Sequence, residues 1–376
     1  MNSEYRICTQ CIMDTTAVEI RFDENGVCSF CHNYKETIKK DLYYENSGLL
    51  RIENLIKNIK KRGVNREYDC VIGVSGGVDS TYVAYLVKMK YGLRPLAIHL
   101  DNGWDSELSV ANIEQIVKRL DIDLYTHVLD WEVFKDLQVS FLKSSIANVE
   151  LLTDHAIWAV LLHTAAKHRI PYIISGHNIV TEAIMPLSWI YPSKESRIIT
   201  GIQKEFGHYN LKSFPKLTTF NYVDYLLFRG IRWIPILNYH PYSKVEAKQI
   251  ITDELGWRDY GGKHYESIFT RFFHAYYLPV KYGYDLRRPY ISALILSGQM
   301  TREQALNEIE QPTAPEKMLK DDLEYVIKKL NLTSDEFNQI MTAPAKSFSD
   351  YPNNHALWER LDWFVKTARK WIIRVK

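Results

Sequence analysis

From Tyr68 onward, short apolar runs alternate with amphipathic stretches. CVIGVS (70–75) predicts a buried strand and STYVAYLVKMKYG (80–92) a helix stopped by Gly92. LAIHLD (96–101) predicts a second strand, SELSVANIEQIVKRLDI (106–122) a second helix and LYTHVLD (124–130) a third strand. After a helical insertion from Trp131 to about Ile146, TDHAIWAVLLHTAAKHRI (153–170) predicts a long helix capped by Thr153 or Asp154. PYIISGHN (171–178) follows as a fourth strand, and WIPILNYHPYSK (233–244) supplies one more. Strands alternating with helices predict a parallel sheet covered on both faces. With right-handed crossovers, such a sheet is doubly wound and binds its ligand at the carboxyl ends of its strands.

The flanking regions differ in pattern. Leu49, Leu50, Ile52, Leu55, Ile56 and Ile59 recur at near-helical spacing, and Gly63 ends that helix. SWIYPSKESR (188–197) reads as a loop. From Lys244 the chain is mostly helical, including SKVEAKQIITDELG, TREQALNEIE, PEKMLKDDLEYVIKKLN and a terminal helix from near Asn354. The pattern divides the chain into residues 1–62, a cysteine-bearing module with a linker helix; 63–240, the α/β domain; and 241–376, a helical region that completes the site.

Composition narrows the partners. Forty-seven basic residues against 45 acidic ones leave a net charge of +2, too little for a broad field toward nucleic acid or an anionic membrane. No run reaches the length of a membrane span, and MNSEYRICTQC has no apolar signal core, so a cytoplasmic protein is expected. Four of the five cysteines form Cys8-x-x-Cys11 and Cys28-x-x-Cys31, with the hairpin signal Asn25-Gly26 between the pairs. That spacing predicts a tetrahedral four-thiolate zinc site, closed and therefore structural. Iron in the same thiolates is the alternative. Cys70, inside a strand, reads as a small buried hydrophobe.

The main chemical signal is Val74-Ser75-Gly76-Gly77-Val78-Asp79-Ser80, between an apolar strand and a helix. Two glycines let the backbone turn its N–H groups toward an anion, and the helix start adds partial positive charge. Ser75 and Ser80 can donate to phosphate oxygens, and Asp79 suits Mg²⁺ held against them. The longer Walker loop with its lysine is absent. Two other strand ends offer polar groups where a nucleotide would lie: Asp101 and Asn102 after the second strand, and Gly176, His177 and Asn178 after the fourth. Thr181 and Glu182 lie just beyond.

VSGGVDS matches the signature of the PP-loop ATP pyrophosphatases, which implies adenylyl transfer with release of pyrophosphate. Further on, Trp257 to Ser267, Phe269 to Phe272 and Leu278 to Arg288 concentrate charge between aromatics. Lys263, Arg271, Lys281 and Arg287 could neutralise phosphates or transition-state charge, and His264 and Glu266 could orient a nucleophile or move its proton. With the cysteine pairs, HLDNGW, SGHN, YGGKHYES, FTRF and SGQMTREQAL, the chain resembles the N-acetyl sugar amidotransferases of lipopolysaccharide O-antigen and pseudaminic acid flagellin-glycan synthesis.

The resemblance implies an α/β fold of PP-loop type (adenine nucleotide alpha hydrolase-like), a zinc ribbon before it and a helical region after it. It also implies an ATP- and Mg²⁺-dependent ligase that turns the acetamido group of a sugar, free or nucleotide-linked, into an acetamidino group. Ser75 to Ser80, Asp101, Asn102, Gly176, His177, Asn178, Lys281 and Arg287 would bind the nucleotide, and Asp79, Lys263, His264, Glu266 and Arg271 would act in catalysis. Asn2 follows Met1 where a glutaminase nucleophile would need cysteine, so ammonia is expected from separate glutaminase and cyclase-like proteins. Two rivals are a tRNA sulfurtransferase, disfavoured by near-neutral charge and the lack of cysteines in the nucleotide loops, and a noncatalytic nucleotide-binding regulator.

Overall fold

A parallel strand shielded on both sides must be apolar at every position, and Cys70, Val71 and Ile72 are each fully buried. In the computed structural model, which describes residues 4–44, 46–191, 193–239, 241–358 and 360–361, this strand is the centre of a five-stranded sheet. The elements run α1 (Ser29–Asp41), α2 (Asn46–Gly63), β1 (Cys70–Gly73), α3 (Val78–Tyr85), β2 (Pro95–Asp101), α4 (Glu107–Leu120), β3 (Asp123–Val128), α5 (Trp131–Ser144), α6 (Leu151–Lys167), β4 (Tyr172–Ser175) and α7 (Ile179–Glu182). They continue with α8 (Arg197–Phe206), α9 (Thr219–Val223), β5 (Arg232–Pro235), α10 (Lys244–Leu255), α11 (Ile268–Phe272), α12 (Leu278–Tyr282), α13 (Arg287–Leu296), α14 (Arg302–Glu310), α15 (Glu316–Lys329) and α16 (Ser334–Thr342).

All pairings are parallel and the order is β3-β2-β1-β4-β5. The direction of winding reverses at β1, so the carboxyl ends of β1 and β4 border the crevice where ligands bind in such sheets. Alternation sorts the two faces. Val71, Leu96, Ile98 and Ile173 pack under α6, whereas Cys70, Ile72, Ala97 and Ile174 pack under α2, α3, α4 and α10. The doubly wound α/β architecture expected from the pattern is the one observed.

Several boundaries differ from expectation. α3 starts at Val78 because Gly77, extended at φ −69°, is its cap. A π-helical turn over Leu86–Lys90 extends it before Gly92 turns left-handed at φ +58°. α6 starts at Leu151, so neither Thr153 nor Asp154 caps it. Instead the Thr153 hydroxyl oxygen accepts a hydrogen bond from Asn102 Nδ2 at 3.2 Å. The expected loop at 188–197 leads directly into α8. Of the expected terminal helix, residues 355–358 and 360–361 are helical, and the remainder lies outside the described residues.

The three segments read from the sequence are interleaved in space. α2 belongs to the core under the sheet, and so does α10, beyond the expected boundary at residue 241. Residues 4–28 dock on the helical region. Arg302 donates to the carbonyls of Cys8 (2.9 Å) and Cys11 (3.1 Å), Arg288 pairs with Asp14 at 3.1 Å, and Ile12 packs with Ile291 and Ala305. No helix among the described residues is long and apolar enough to cross a membrane.

Candidate active site and cysteine cluster

Gly76 sits at φ +77°, a conformation that favours glycine. Its carbonyl is held from behind by Trp257 Nε1 at 2.7 Å and by the Tyr260 hydroxyl. The loop's two serines face each other, Ser75 Oγ to Ser80 Oγ 3.1 Å, and the Gly77 N–H donates to Ser75 Oγ at 3.3 Å. A Cβ on Gly176 would lie 3.0 Å from the Asp79 carbonyl carbon, so glycine at the end of β4 lets α3 begin hard against it. A Cβ on Gly77 would lie 3.4 Å from Glu266 Oε1, which brings the later charged segment to the phosphate loop. That segment is stitched to the end of β2: Ser106 N donates to Glu266 O (2.8 Å), Ile268 N donates to Trp104 O (2.9 Å), and Asp105 bridges Ser267.

Around Asp79 the chain assembles a set of alternating charges. The Tyr242 hydroxyl donates to Asp79 Oδ1, and Lys244 and Lys263 both act on its charge. Burial raises the Asp79 pKa, with Lys244 pulling the other way. His177 Nδ1 lies 2.7 Å from Glu182 Oε2. Burial works to raise Glu182, but the His177 bond and the charges of Lys263 and His264 outweigh it and hold the carboxyl down at about 2. Lys263 Nζ stands 3.9 Å from the Tyr290 ring centre, with Lys244 Nζ at 5.4 Å. Burial lowers the Lys263 pKa, whereas Lys244, also opposed by burial, is raised by Asp79 and its acidic neighbours. His264 lies 3.7 Å from Glu266, and its ring meets His274 edge-on at 4.6 Å. Fixed, mutually oriented charges in a partly dry site stabilise developing phosphate charge more strongly than mobile charges in water.

The structure therefore brings together Ser75, Gly76, Gly77, Val78, Asp79, Ser80, Gly176, His177, Lys263, His264 and Glu266. It holds other expected residues elsewhere. Arg271 donates two hydrogen bonds to the Asp322 carboxylate (2.6 Å to each oxygen), joining α11 to α15. Arg287 binds Asp285 and the carbonyls at the end of α14. Lys281 donates to Ser145 Oγ at 2.9 Å and to the Ile340 carbonyl, and burial alone lowers its pKa to about 8. Asn178, fully buried, caps α7 by accepting from the Thr181 N–H and hydroxyl, both at 2.9 Å. Asp101 accepts from Gly103 N (2.8 Å) and Asn102 from Trp104 N (3.1 Å), so both shape the turn after β2. In each case a carboxylate, carbonyl or cap satisfies a group that the linear sequence left unpaired.

Sequence reading missed Tyr242, Lys244, Glu182 as the partner of His177, and Tyr290. Lys244 did carry a signal. A cation in the first turn of a helix opposes the helix dipole, and Lys244 opens α10 directly after its cap Ser243. Such a placement makes sense where an anion faces it.

Removing Arg271 is expected to cost stability more than chemistry. Arg271→Ala leaves Asp322 charged and buried, a loss of about 3–5 kcal/mol. Arg271→Met with Asp322→Leu is expected to recover most of it, read as the urea midpoint, with the KM for ATP unchanged in the double variant.

Two further carboxyls line this region. Burial, then the charge of Asp154 on the next turn, pushes Glu150 up to about 8. The Thr270 hydroxyl donates to Glu150 at 2.9 Å. An acid whose folded pKa is raised binds more protons folded than unfolded, so stability falls as pH climbs from the unfolded toward the folded value. For Glu150 that window runs from 4.5 to about 8. Glu150→Gln keeps an oxygen for Thr270 and is expected to flatten the melting profile over this range. It should gain on the order of 1 kcal/mol on wild type by pH 8; parallel melting curves of the two proteins would exclude this assignment.

The four cysteine sulfurs lie within 4.8 Å of one another, all buried. Cys8–Cys31 is 3.8 Å, and Cys11–Cys28 and Cys28–Cys31 are each 3.6 Å. Tetrahedral zinc–sulfur bonds of about 2.3 Å place sulfurs about 3.8 Å apart, so the cluster fits zinc. Cys70 lies apart from the cluster, fully buried in β1, and burial pushes its thiol up.

Residues 50–148 match the NAD synthase family, and residues 266–365 match the family described as LPS biosynthesis protein WbpG-like, C-terminal domain. An uncharacterized protein of Methanocaldococcus jannaschii is 24% identical over 321 residues, covering 78% of this chain and 96% of that protein. The tRNA-specific 2-thiouridylase MnmA of Mycoplasmopsis synoviae is 29% identical over 138 residues, 30% of this chain and 36% of that protein. The solved structure of NMN synthetase from Francisella tularensis covers 77% of this chain and 98% of its own at 14% identity, with a TM-score of 0.32. The first match carries the phosphate loop and the second begins at Glu266, whose carboxylate reaches that loop, so the two matched segments meet at one site: the chain is similar to the NAD synthase family through its phosphate-loop domain and to WbpG-like LPS biosynthesis proteins through its C-terminal region.

Proposed function

We propose that this protein is an ATP-dependent, AMP-forming amidotransferase that converts the N-acetyl group of a bacterial surface-glycan sugar into an acetamidino group. The convergence of Asp79, Glu182, Lys244 and Lys263 beside the phosphate loop carries the reading, supported by the WbpG-like LPS-biosynthesis match over residues 266–365.

An amide carbon is a poor electrophile and its oxygen a poor leaving group. The acetamido oxygen attacks the α-phosphorus of ATP, the bond to the β-phosphate oxygen breaks, and pyrophosphate leaves. Ammonia then adds to the imidate carbon, loses a proton, and AMP departs with the original oxygen. The loop N–H groups with Ser75 and Ser80 hold the β and γ phosphates. Lys244 and Lys263 meet the charge that builds on them. Asp79 and Glu182 would hold Mg²⁺, which neutralises phosphate charge. Either Glu266, paired with His264, or the His177–Glu182 pair receives the proton that ammonia loses. Ammonia comes from a separate glutaminase and cyclase-like partner.

The test incubates the protein with ATP, Mg²⁺, ammonium and a panel of N-acetylated bacterial sugars, and reads products by mass spectrometry. A sugar lighter by about one mass unit, formed with AMP, is the expected result. AMP without any change in a sugar would defeat the substrate assignment. The match to a tRNA thiouridylase over 30% of the chain raises sulfur transfer as a second reading. That chemistry needs a thiol near the nucleotide, and here four of the five cysteines form the cluster while Cys70 is enclosed in β1. Sulfur incorporation into tRNA would restore it.

A further inference from the structure

At the amino ends of β4 and β5, opposite the site at Asp79, a cavity of about 300 Å³ opens between α2 and α6. Arg62, Arg66, Arg169 and Arg229 line it, over an apolar floor that includes Ile170 and Ile231. The four guanidiniums come from separate places in the chain: the last turn of α2, the link to β1, the exit of α6 and the turn before β5. Arg229 pairs with Asp224 at 2.8 Å; Arg62, Arg66 and Arg169 have no carboxylate in ion-pair contact among the described residues.

Part of this arrangement serves the fold. Arg66 Nη1 donates to the Arg169 carbonyl at 2.6 Å and Arg229 Nη1 to the Ala166 carbonyl at 3.5 Å, both at the carboxyl end of α6. Each bond uses one of five N–H donors. Arg62 stands 6.0 Å from the Tyr172 ring centre, and Arg169 donates its backbone N–H to the Ala166 carbonyl at 3.3 Å. Arg169 holds φ +56°, just past a helix end, where glycine is the favoured residue. A side chain there costs about 1 kcal/mol relative to glycine. Like charges around one concavity also repel. A multiply charged anion relieves the repulsion, because guanidinium forks match phosphate oxygens.

We propose that this cavity binds a phosphorylated small molecule. Arg62, Arg66 and Arg169 grip its phosphate at the mouth of the cavity. The volume sits at the lower end of small-molecule pockets. The site is separate from the phosphate loop and does not depend on the proposed reaction.

Equilibrium dialysis of the full chain with radiolabelled inorganic pyrophosphate tests it. Wild type is expected to bind one equivalent whose affinity depends on these arginines, apart from any held at the phosphate loop. In Arg62→Gln/Arg169→Gly that equivalent binds at least tenfold more weakly, with the melting temperature unchanged or raised because glycine suits φ +56°. Arg62→Gln alone, at an exposed helix end, weakens it at least threefold and guards against misfolding of the double variant. Undiminished binding in both variants overturns the proposal.

Discussion

Asp79→Asn is expected to reduce AMP and pyrophosphate formation by roughly 10³-fold, the scale of losing one preorganised electrostatic group. The carboxylate sits in the first turn of α3, receives the Tyr242 hydroxyl, and is the acidic neighbour that Lys244 and Lys263 share with Glu182. Asparagine keeps the shape and an acceptor for Tyr242 but removes the charge. The two lysines then lose one of the three carboxylates that act on both, Asp79, Glu182 and Glu266, and the metal loses a ligand. Folding should survive, because burial already disfavours this charge. A pyrophosphate-release assay beside a melting curve separates the effects. Activity within tenfold of wild type in a well-folded variant would remove Asp79 from the chemistry, and with it the central geometric argument. Lys244→Ala is a useful companion, since it leaves the loop intact while removing the cation that acts most strongly on the loop carboxylate.

Loss of the four-cysteine metal should have an effect of similar size by another route. The purified protein is expected to carry one zinc per chain by elemental analysis. Cys11→Ser should lose it and melt at much lower temperature, since a structural zinc site contributes about 10–16 kcal/mol of apparent binding free energy that is also folding free energy. The damage should reach the active site. Arg302 on α14 reads the carbonyls of Cys8 and Cys11, Ser292 Oγ accepts from Ile12 N at 3.2 Å, and Tyr290 on the same α13 faces Lys263. Zinc release by an organomercurial, followed with a metal-sensing dye, should therefore run in step with loss of activity. A Cys11→Ser protein with unchanged melting and full turnover would reduce the cluster to a surface ornament.

The central strands were readable because burial on both faces leaves little choice of residue: Val71, Ile72, Ile173 and Ile174 admit no polar substitute. The cysteine cluster was readable because its four ligands lie in two tight local pairs, with Gly26 at φ +76° turning the chain between them. The phosphate loop was readable because every group in it lies within seven residues. Arg271 and Arg287 show where that reading stops. Both sit in the charged stretch that suggested phosphate contacts, yet Asp322 and the end of α14 satisfy them across 51 and more than 20 positions of sequence. Type and local spacing describe what a side chain can bind; they do not say which of many opposite charges reaches it first.

What the sequence determined by itself, then, are the features held by local or nearly local constraints: the alternating strands and helices, the Gly-Gly turn with its serines, and the paired thiolates. Tertiary structure alone decided the membership of the charged site. It placed Tyr242 and Lys244 over Asp79, joined His177 to Glu182, turned Glu266 toward Gly77, and set Lys263 on Tyr290. It also took Lys281, Asn178 and the two arginines away to hold the fold. The reason is physical. Hydrophobic periodicity fixes which face of each element is buried, but a cluster of charges forms only once the sheet order and the docking of residues 241–290 bring distant groups to one partly buried site, where water screens them less.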